Sequence, residues 1–338
     1  MNKQIGIFIL AVALAAVAGV LVMNKNNSSA LPEKGVLLEG LKADVTKLDH
    51  IQIDKAQGLN FSAQLVDGQW LVAELNNYPV DQDKLSKLLK SLVAAQRVQA
   101  KTTKPEYFDR LGLRDISDQD SLATQVTLSA GTKSWSLLVG SSPERGHGQY
   151  VRLSGKNQSW LIDQNLELPM TDTDWLKQPI LPNELQQIKQ VQRVGKQGWT
   201  IEKSDPEQTN YTLVALPEGR LLKYPGVLNS VVTAISQLNF EQIQPNDEEL
   251  WNSYTPTLQL IVGSEAGQSY TLELAELDDA HYVRFSSQQP GQYWQNRIYT
   301  ISSFSAQQLN KSLDDFLQDE KSELPVSETV TDEGEAPQ

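Results

Sequence analysis

The chain writes one strand twice. Gly148–Gly155 reads GQYVRLSG and Ala280–Ser287 reads AHYVRFSS, which sets Tyr150 and Tyr282 132 residues apart. The likeness extends in order along most of the sequence, and ordered self-similarity is the signature of a duplicated folding unit. The first copy opens on LDHIQID (Leu48–Asp54), then two alternating runs joined at Asp67-Gly68, a two-residue hairpin signal. The second opens on LQQIKQVQRVGKQGWTIEKS and continues to NYTLVA, where Tyr211-Thr-Leu-Val loosely echoes Trp70-Leu-Val. A helix follows in each. Leu85, Leu88, Leu89, Leu92 and Val93 recur at helical spacing behind Asp81 as N-cap, and Leu228, Val231, Val232, Ile235 and Leu238 recur behind Pro225. Tyr78-Pro79 and Tyr224-Pro225 introduce the two helices.

An aromatic turn comes next, PEYFDRLGL in one copy and DEELWNSYT in the other, and then strands resume, with Gly131 and Gly263 at matching places. The first copy closes on TDTDWL. The second closes on SAQQLNKSLDDFL, where Leu309, Leu313 and Phe316 form a helical stripe behind Ser305. The expected fold class is α+β, two tandem copies of a mostly antiparallel sheet with one covering helix each. The prolines of KQPILPNEL mark the joint. The expected organisation is an N-terminal transmembrane helix over residues 1–24, a linker over 25–44, repeats over 45–178 and 179–317, and an acidic tail over 318–338.

The first segment rests on nineteen consecutive non-polar residues, Ile5 to Met23, flanked by Lys3 and Lys25. At about 1.5 Å per residue that is a helix of roughly 28 Å, the thickness of a bilayer core. The amino terminus and Lys3 favour a cytoplasmic start. Small residues at Ala16, Ala18 and Gly19 offer the alternative of a cleaved signal peptide, but the apolar run continues past them. Either route carries residues 26–338 across the membrane, and an uncleaved run makes the chain single-pass with its N-terminus inside.

Charge is unevenly spread. Asp314–Gln338 holds nine acids and one lysine, a net of −8 within a total of −13, which leaves −5 for the first 313 residues. No basic surface is available for a phosphate backbone, which argues against nucleic acid. With no cysteine there is no thiolate nucleophile, disulfide or cysteine-bound zinc.

On a strand, Tyr150 and Arg152 share one face, as do Tyr282 and Arg284. These four are the candidate ligand-binding residues, because arginine binds carboxylate or phosphate bidentately. The competing expectation is that each arginine lies over an aromatic ring or pairs with a carboxylate of its own sheet. Asp279, His281 and Arg284 are the candidates for a hydrolase site, yet no H-E-x-x-H, G-x-S-x-G, EF-hand, dinucleotide or Walker pattern accompanies them. No catalytic residue, metal or cofactor is assigned. His50 and His147 complete the histidines. Trp70, Trp135, Trp160, Trp199 and Trp294 fall in strand-like runs, where they fill a core or, alternatively, form a platform for sugars.

DGQWLV, YPVDQDKLSKLLKSL, YFDRLGL and GQYVRL together resemble a family of bacterial proteins built on a domain of unknown function. The resemblance covers residues 47–317 and implies a repeated domain behind one N-terminal membrane helix, in proteins often encoded beside gliding-motility-type ABC-transporter subunits. It implies an accessory role in the cell envelope, with the anchor in the inner membrane and the bulk of the chain periplasmic, and carries over no catalytic residues. The second copy departs from the pattern at Tyr211 and lacks the Gly-Leu of the turn. The expected function is therefore an extracytoplasmic docking or binding module of an ABC-transporter complex. A glycan- or cell-wall-binding protein is the alternative, and a hydrolase the weaker one.

Overall fold

A computed structural model describes residues 34–319. The apolar run of residues 5–23 and the tail from 320 onward lie outside the described residues. Among the described residues no helix is long and apolar enough to cross a membrane.

The chain is mostly β: the two antiparallel sheets expected are present, but the helices are too few and short for the α+β class. In chain order come β1 (Gly35–Val36), α1 (Leu41–Asp44), β2 (His50–Lys55), β3 (Asn60–Val66) and β4 (Gln69–Val72). Then follow β5 (Tyr78–Pro79), α2 (Gln82–Ala94), β6 (Gln96–Ala100), β7 (Thr124–Ala130), β8 (Lys133–Val139), β9 (Gln149–Leu153) and β10 (Ser159–Ile162). The second half holds α3 (Asn183–Gln186), β11 (Ile188–Arg193), β12 (Trp199–Glu202), β13 (Thr212–Leu213), α4 (Asn229–Ser236) and β14 (Gln242–Pro245). It ends with α5 (Glu248–Ser253), β15 (Thr255–Ser264), β16 (Ser269–Leu277), β17 (Ala280–Ser287), β18 (Arg297–Ile301) and α6 (Ser303–Leu309).

The two halves repeat one topology. The order β2-β7-β8-β9-β10-β6 in the first matches β11-β15-β16-β17-β18-β14 in the second, and the β3–β4 pair matches β12–β13. Six strands in the same non-sequential order are far more specific than any shared triplet, because strand order is set by the whole connectivity.

Chain contacts divide the protein into two compact units that do not coincide with the copies: residues up to 60 with 86–168, and residues 61–85 with everything from 169. In the first unit Ile53 lies opposite Val126, which lies opposite Leu137, and Val151 opposite Trp160. All five are buried, and this strict alternation puts one face of the sheet into a core. In the second unit Val191, Val262, Leu260, Leu272, Phe285, Val283 and Tyr299 share a face by register. Helix α4 supplies Val231, Val232 and Ile235 to the interior, with α6 packed beside it.

The second unit also contains β4 and β5 of the first copy. Tyr78 is fully buried there, edge-on to Phe240, Tyr293 and Tyr299 at centroid distances of 5.7, 5.5 and 6.4 Å. The buried Arg297 lies 5.3 Å from the Tyr78 ring and donates through Nη2 to the carbonyls of Leu75 and Asn76 at 2.8 and 2.9 Å. Burial holds the Tyr78 and Tyr299 hydroxyls well above the usual phenol range.

Local signals were met and missed for identifiable reasons. Asp67 and Gly68 both take positive φ, 49° and 81°, as the hairpin requires. Asp81 Oδ1 accepts from the amides of Asp83 and Lys84, capping α2. Helix α4 starts at Asn229 instead of Pro225, because Gly226 adopts φ 84°, a left-handed conformation that no helical turn contains. The turn that answers Gly131 is at Gly267; Gly263 sits inside β15, paired with Ser269. The closing stripe is broken: α6 is capped by Ser302 and ends at Leu309, and Phe316 is buried by a separate turn, 5.3 Å from Trp199.

Candidate functional site

Strands β9 and β17 each place tyrosine and arginine on the face opposite the central valine, which is fully buried in both copies. The turn after β6 folds back over that face. Arg152 is 2% exposed, and its guanidinium lies 4.4 Å from the Phe108 ring. Its Nη2 donates to Leu113 O at 3.0 Å and to Asp115 Oδ1 at 2.8 Å, and its Nη1 to Lys156 O at 3.0 Å. Tyr150 packs against the buried cluster of Phe108, Leu113, Ala123 and Leu138.

The second copy repeats the arrangement with different partners. Arg284 lies 4.4 Å from the Trp251 ring, donates from Nε to Glu273 at 2.6 Å and reaches both carboxylate oxygens of Glu248. Tyr282 stacks on Tyr254 at 4.3 Å. Burial opposes the charge on Arg284, but Glu248 and Glu273 more than offset it and raise its pKa. The hydrogen bond from Asn246 and the pairing with Arg284 hold Glu248 below the usual carboxylate value.

In both copies the arginine is a clamp that pins an aromatic turn onto the sheet. Its N–H groups meet acceptors of its own domain. The two clamps differ in depth: Arg152 is sealed under backbone carbonyls, whereas Arg284 faces two carboxylates at a more open surface.

Asp279, His281 and Arg284 do not converge. Asp278 and Asp279 are the two central residues of the β16–β17 turn, with φ of 49° and 65°. His281 shares the face of Val283, while Arg284 points to the other side, since an odd separation along a strand reverses the face. His281 Nδ1 lies 3.2 Å from Glu276 Oε1 without hydrogen-bond geometry. His50 begins β2 half-buried, and His147 is exposed on the loop before β9. Among the described residues no group of three metal-ligating side chains converges.

Trp70, Trp160, Trp175, Trp199, Trp251 and Trp294 are buried, which assigns them to cores. Trp294 lies in a turn before β18 rather than in a strand. Trp135 is only half-buried. Sequence reasoning passed over Arg297. A lone arginine heading the apolar strand RIYTI was the available signal, since a charge at a core-facing position needs dedicated acceptors.

Fold and site together define a class: a duplicated antiparallel-sheet protein whose most distinctive polar groups are structural clamps. The chain belongs to the family described as domain of unknown function DUF4340, whose model matches residues 70–257, more than half of its length. No curated protein and no solved structure matches it.

Proposed function

We propose that the chain is a membrane-anchored extracytoplasmic docking module, an accessory component of an ABC-transporter complex. The observation that carries the docking role is a row of exposed apolar side chains on one short segment of the second unit. Val214, Leu216, Leu221 and Tyr224 are 57, 44, 63 and 57% exposed. They follow β13, an edge strand of only two residues, and the backbone of Leu221–Lys223 is held by Phe316–Gln318 while these side chains stay exposed. Clustered exposed apolar groups of this kind suit a protein partner. The nineteen-residue apolar run supports anchoring, and an anchor holds such a surface at high effective concentration beside membrane partners. The internal engagement of Arg152 and Arg284 favours a scaffold over a hydrolase built around Arg284.

The test is affinity purification of tagged full-length protein from detergent-solubilised membranes. Transporter subunits are expected in near-equal amounts. The pair Leu221→Asp and Tyr224→Ser should release them while leaving the unfolding midpoint unchanged. Recovery without transporter subunits, or a variant that retains them, refutes the proposal. Reporter fusions placing the C-terminus in the cytosol refute the topology.

A further inference from the structure

The two copies place an aromatic residue at the same point of the sheet and treat it differently. Arg152 corresponds to Arg284, so Leu153 corresponds to Phe285. Leu137, opposite Leu153, then corresponds to Leu272, opposite Phe285. Two residues earlier stand Trp135 and Tyr270. Both use their polar handle alike: Trp135 Nε1 donates to Glu39 O at 2.8 Å, and Tyr270 Oη to Leu185 O at 3.3 Å. Each acceptor precedes the matching strand of its copy, Glu39 ahead of β2 and Leu185 ahead of β11.

Their surroundings diverge. In the second copy β17 runs on to Ser287, directly opposite Tyr270, and the ring is buried beside Phe285 and Trp294. In the first copy β9 stops at Leu153 and turns at Ser154–Lys156. Strand β8 therefore carries Ser134 and Trp135 beyond its neighbour and leaves the indole half-buried. The result is a pocket of about 390 Å³ lined by Trp135, Leu153, Ser134, Ser154, Glu39 and Lys156 among others.

We infer that this pocket binds a pyranose ring of a saccharide. A fixed indole offers a flat apolar surface for the C–H face of a sugar, and its bond to Glu39 holds that surface in place before any ligand arrives. Around the ring stand Ser134, the Ser136–Ser154 hydroxyl pair at 2.8 Å, the Glu39 carboxylate 3.7 Å from Arg97 Nη2, and Lys156, and their remaining donor and acceptor capacity suits a polyhydroxylated ligand. An apolar ligand would make no use of the serines, Glu39 or Lys156, and a strongly charged one would meet both signs. The inference is independent of the docking proposal, which concerns residues 214–224 of the other unit.

Titration of full-length protein with chitotriose and maltotriose tests it, read by calorimetry and by the Trp135 indole N–H resonance, assigned through its loss in Trp135→Phe. At least one saccharide should shift that resonance saturably, with a dissociation constant on the order of millimolar. Trp135→Ala should weaken binding by about tenfold or more, and Lys156→Ala, a change on an exposed turn, by roughly threefold. An unchanged unfolding midpoint in Lys156→Ala keeps the test valid if Trp135→Ala unfolds. No response from either saccharide overturns the inference, as does an equal response to 1-hexanol, or undiminished binding in Lys156→Ala together with Trp135→Phe.

Discussion

Replacing Arg152 by methionine separates a structural clamp from a ligand site. Methionine keeps most of the length and an apolar contact with Phe108 but removes every donor. Leu113 O, a buried carbonyl, loses a charged donor at 3.0 Å at about 1–3 kcal/mol, and Lys156 O, on a solvent-facing turn, loses one at about 1 kcal/mol. The desolvated cation–π contact with Phe108 adds about 2 kcal/mol. Asp115 is largely exposed, so its pairing contributes at most about 1 kcal/mol. Relief of the cost of burying a guanidinium offsets part of this, leaving a net loss of about 3–5 kcal/mol. Urea unfolding followed by circular dichroism should show the midpoint falling by about 1–2 M. Arg284→Met, at a more open site with solvated carboxylate partners, should cost about 1–2 kcal/mol. A midpoint for Arg152→Met within about 0.3 M of the parent would refute the clamp argument, as would a larger loss for Arg284→Met.

The docking of the aromatic turn onto the sheet also depends on Gly140. A Cβ there would sit 2.1 Å from Leu111 O and 2.9 Å from Gly112 O, so Gly140→Ala should cost about 3 kcal/mol in thermal unfolding. Gly131→Ala, with open space but φ 58°, should cost only about 1–2 kcal/mol, and a reversed ranking contradicts the packing argument. Asp174 provides a pH signature. Burial raises its pKa, but hydrogen bonds from Met170 N, Thr171 Oγ1 and Thr171 N outweigh that and leave it below the usual value. Its stabilisation is therefore complete above about pH 3.9, the ordinary carboxylate value, and is lost as pH falls through the lower folded value. Asp174→Asn should flatten that part of the acid-unfolding curve; identical slopes for the two proteins between about pH 5 and pH 2 would count against it.

Strands, hairpins and the first long helix were readable because each is specified by nearby residues. Asp67-Gly68 dictates its turn, and Leu85, Leu88 and Leu92 form the buried stripe of α2. Where one residue overrules its neighbours, pattern reading failed. Gly226 removes a turn from α4 despite the apolar spacing that begins at Leu228, and the shorter helices tip the class toward β. The shared face of Tyr150 and Arg152 followed from strand geometry alone. Their partners did not, since Phe108 and Leu113 reach Arg152 only through a turn that folds back across the sheet. The membership of residues 61–85 in the second compact unit was equally hidden, because it depends on Tyr78 finding Phe240 and Tyr299 some 160 and 220 positions away.

Duplication offers an internal comparison that separates scaffold from specialisation. Features present in both copies, the strand order and an arginine clamped over an aromatic turn, are those the fold requires to hold together. Features present in one copy are free of that requirement. The exposed segment 214–224 belongs to the second copy, whereas the first copy's Tyr78-Pro79 counterpart of Tyr224-Pro225 is buried in an aromatic cluster. The half-buried Trp135 belongs to the first copy, and its counterpart Tyr270 is sealed by a longer strand. Each copy has opened a surface at a place where the other is closed. A fold maintained by two corresponding clamps can tolerate such local opening, because a two-residue change in strand length or an exposed turn leaves the ladder of β7, β8 and β9, or of β15, β16 and β17, intact.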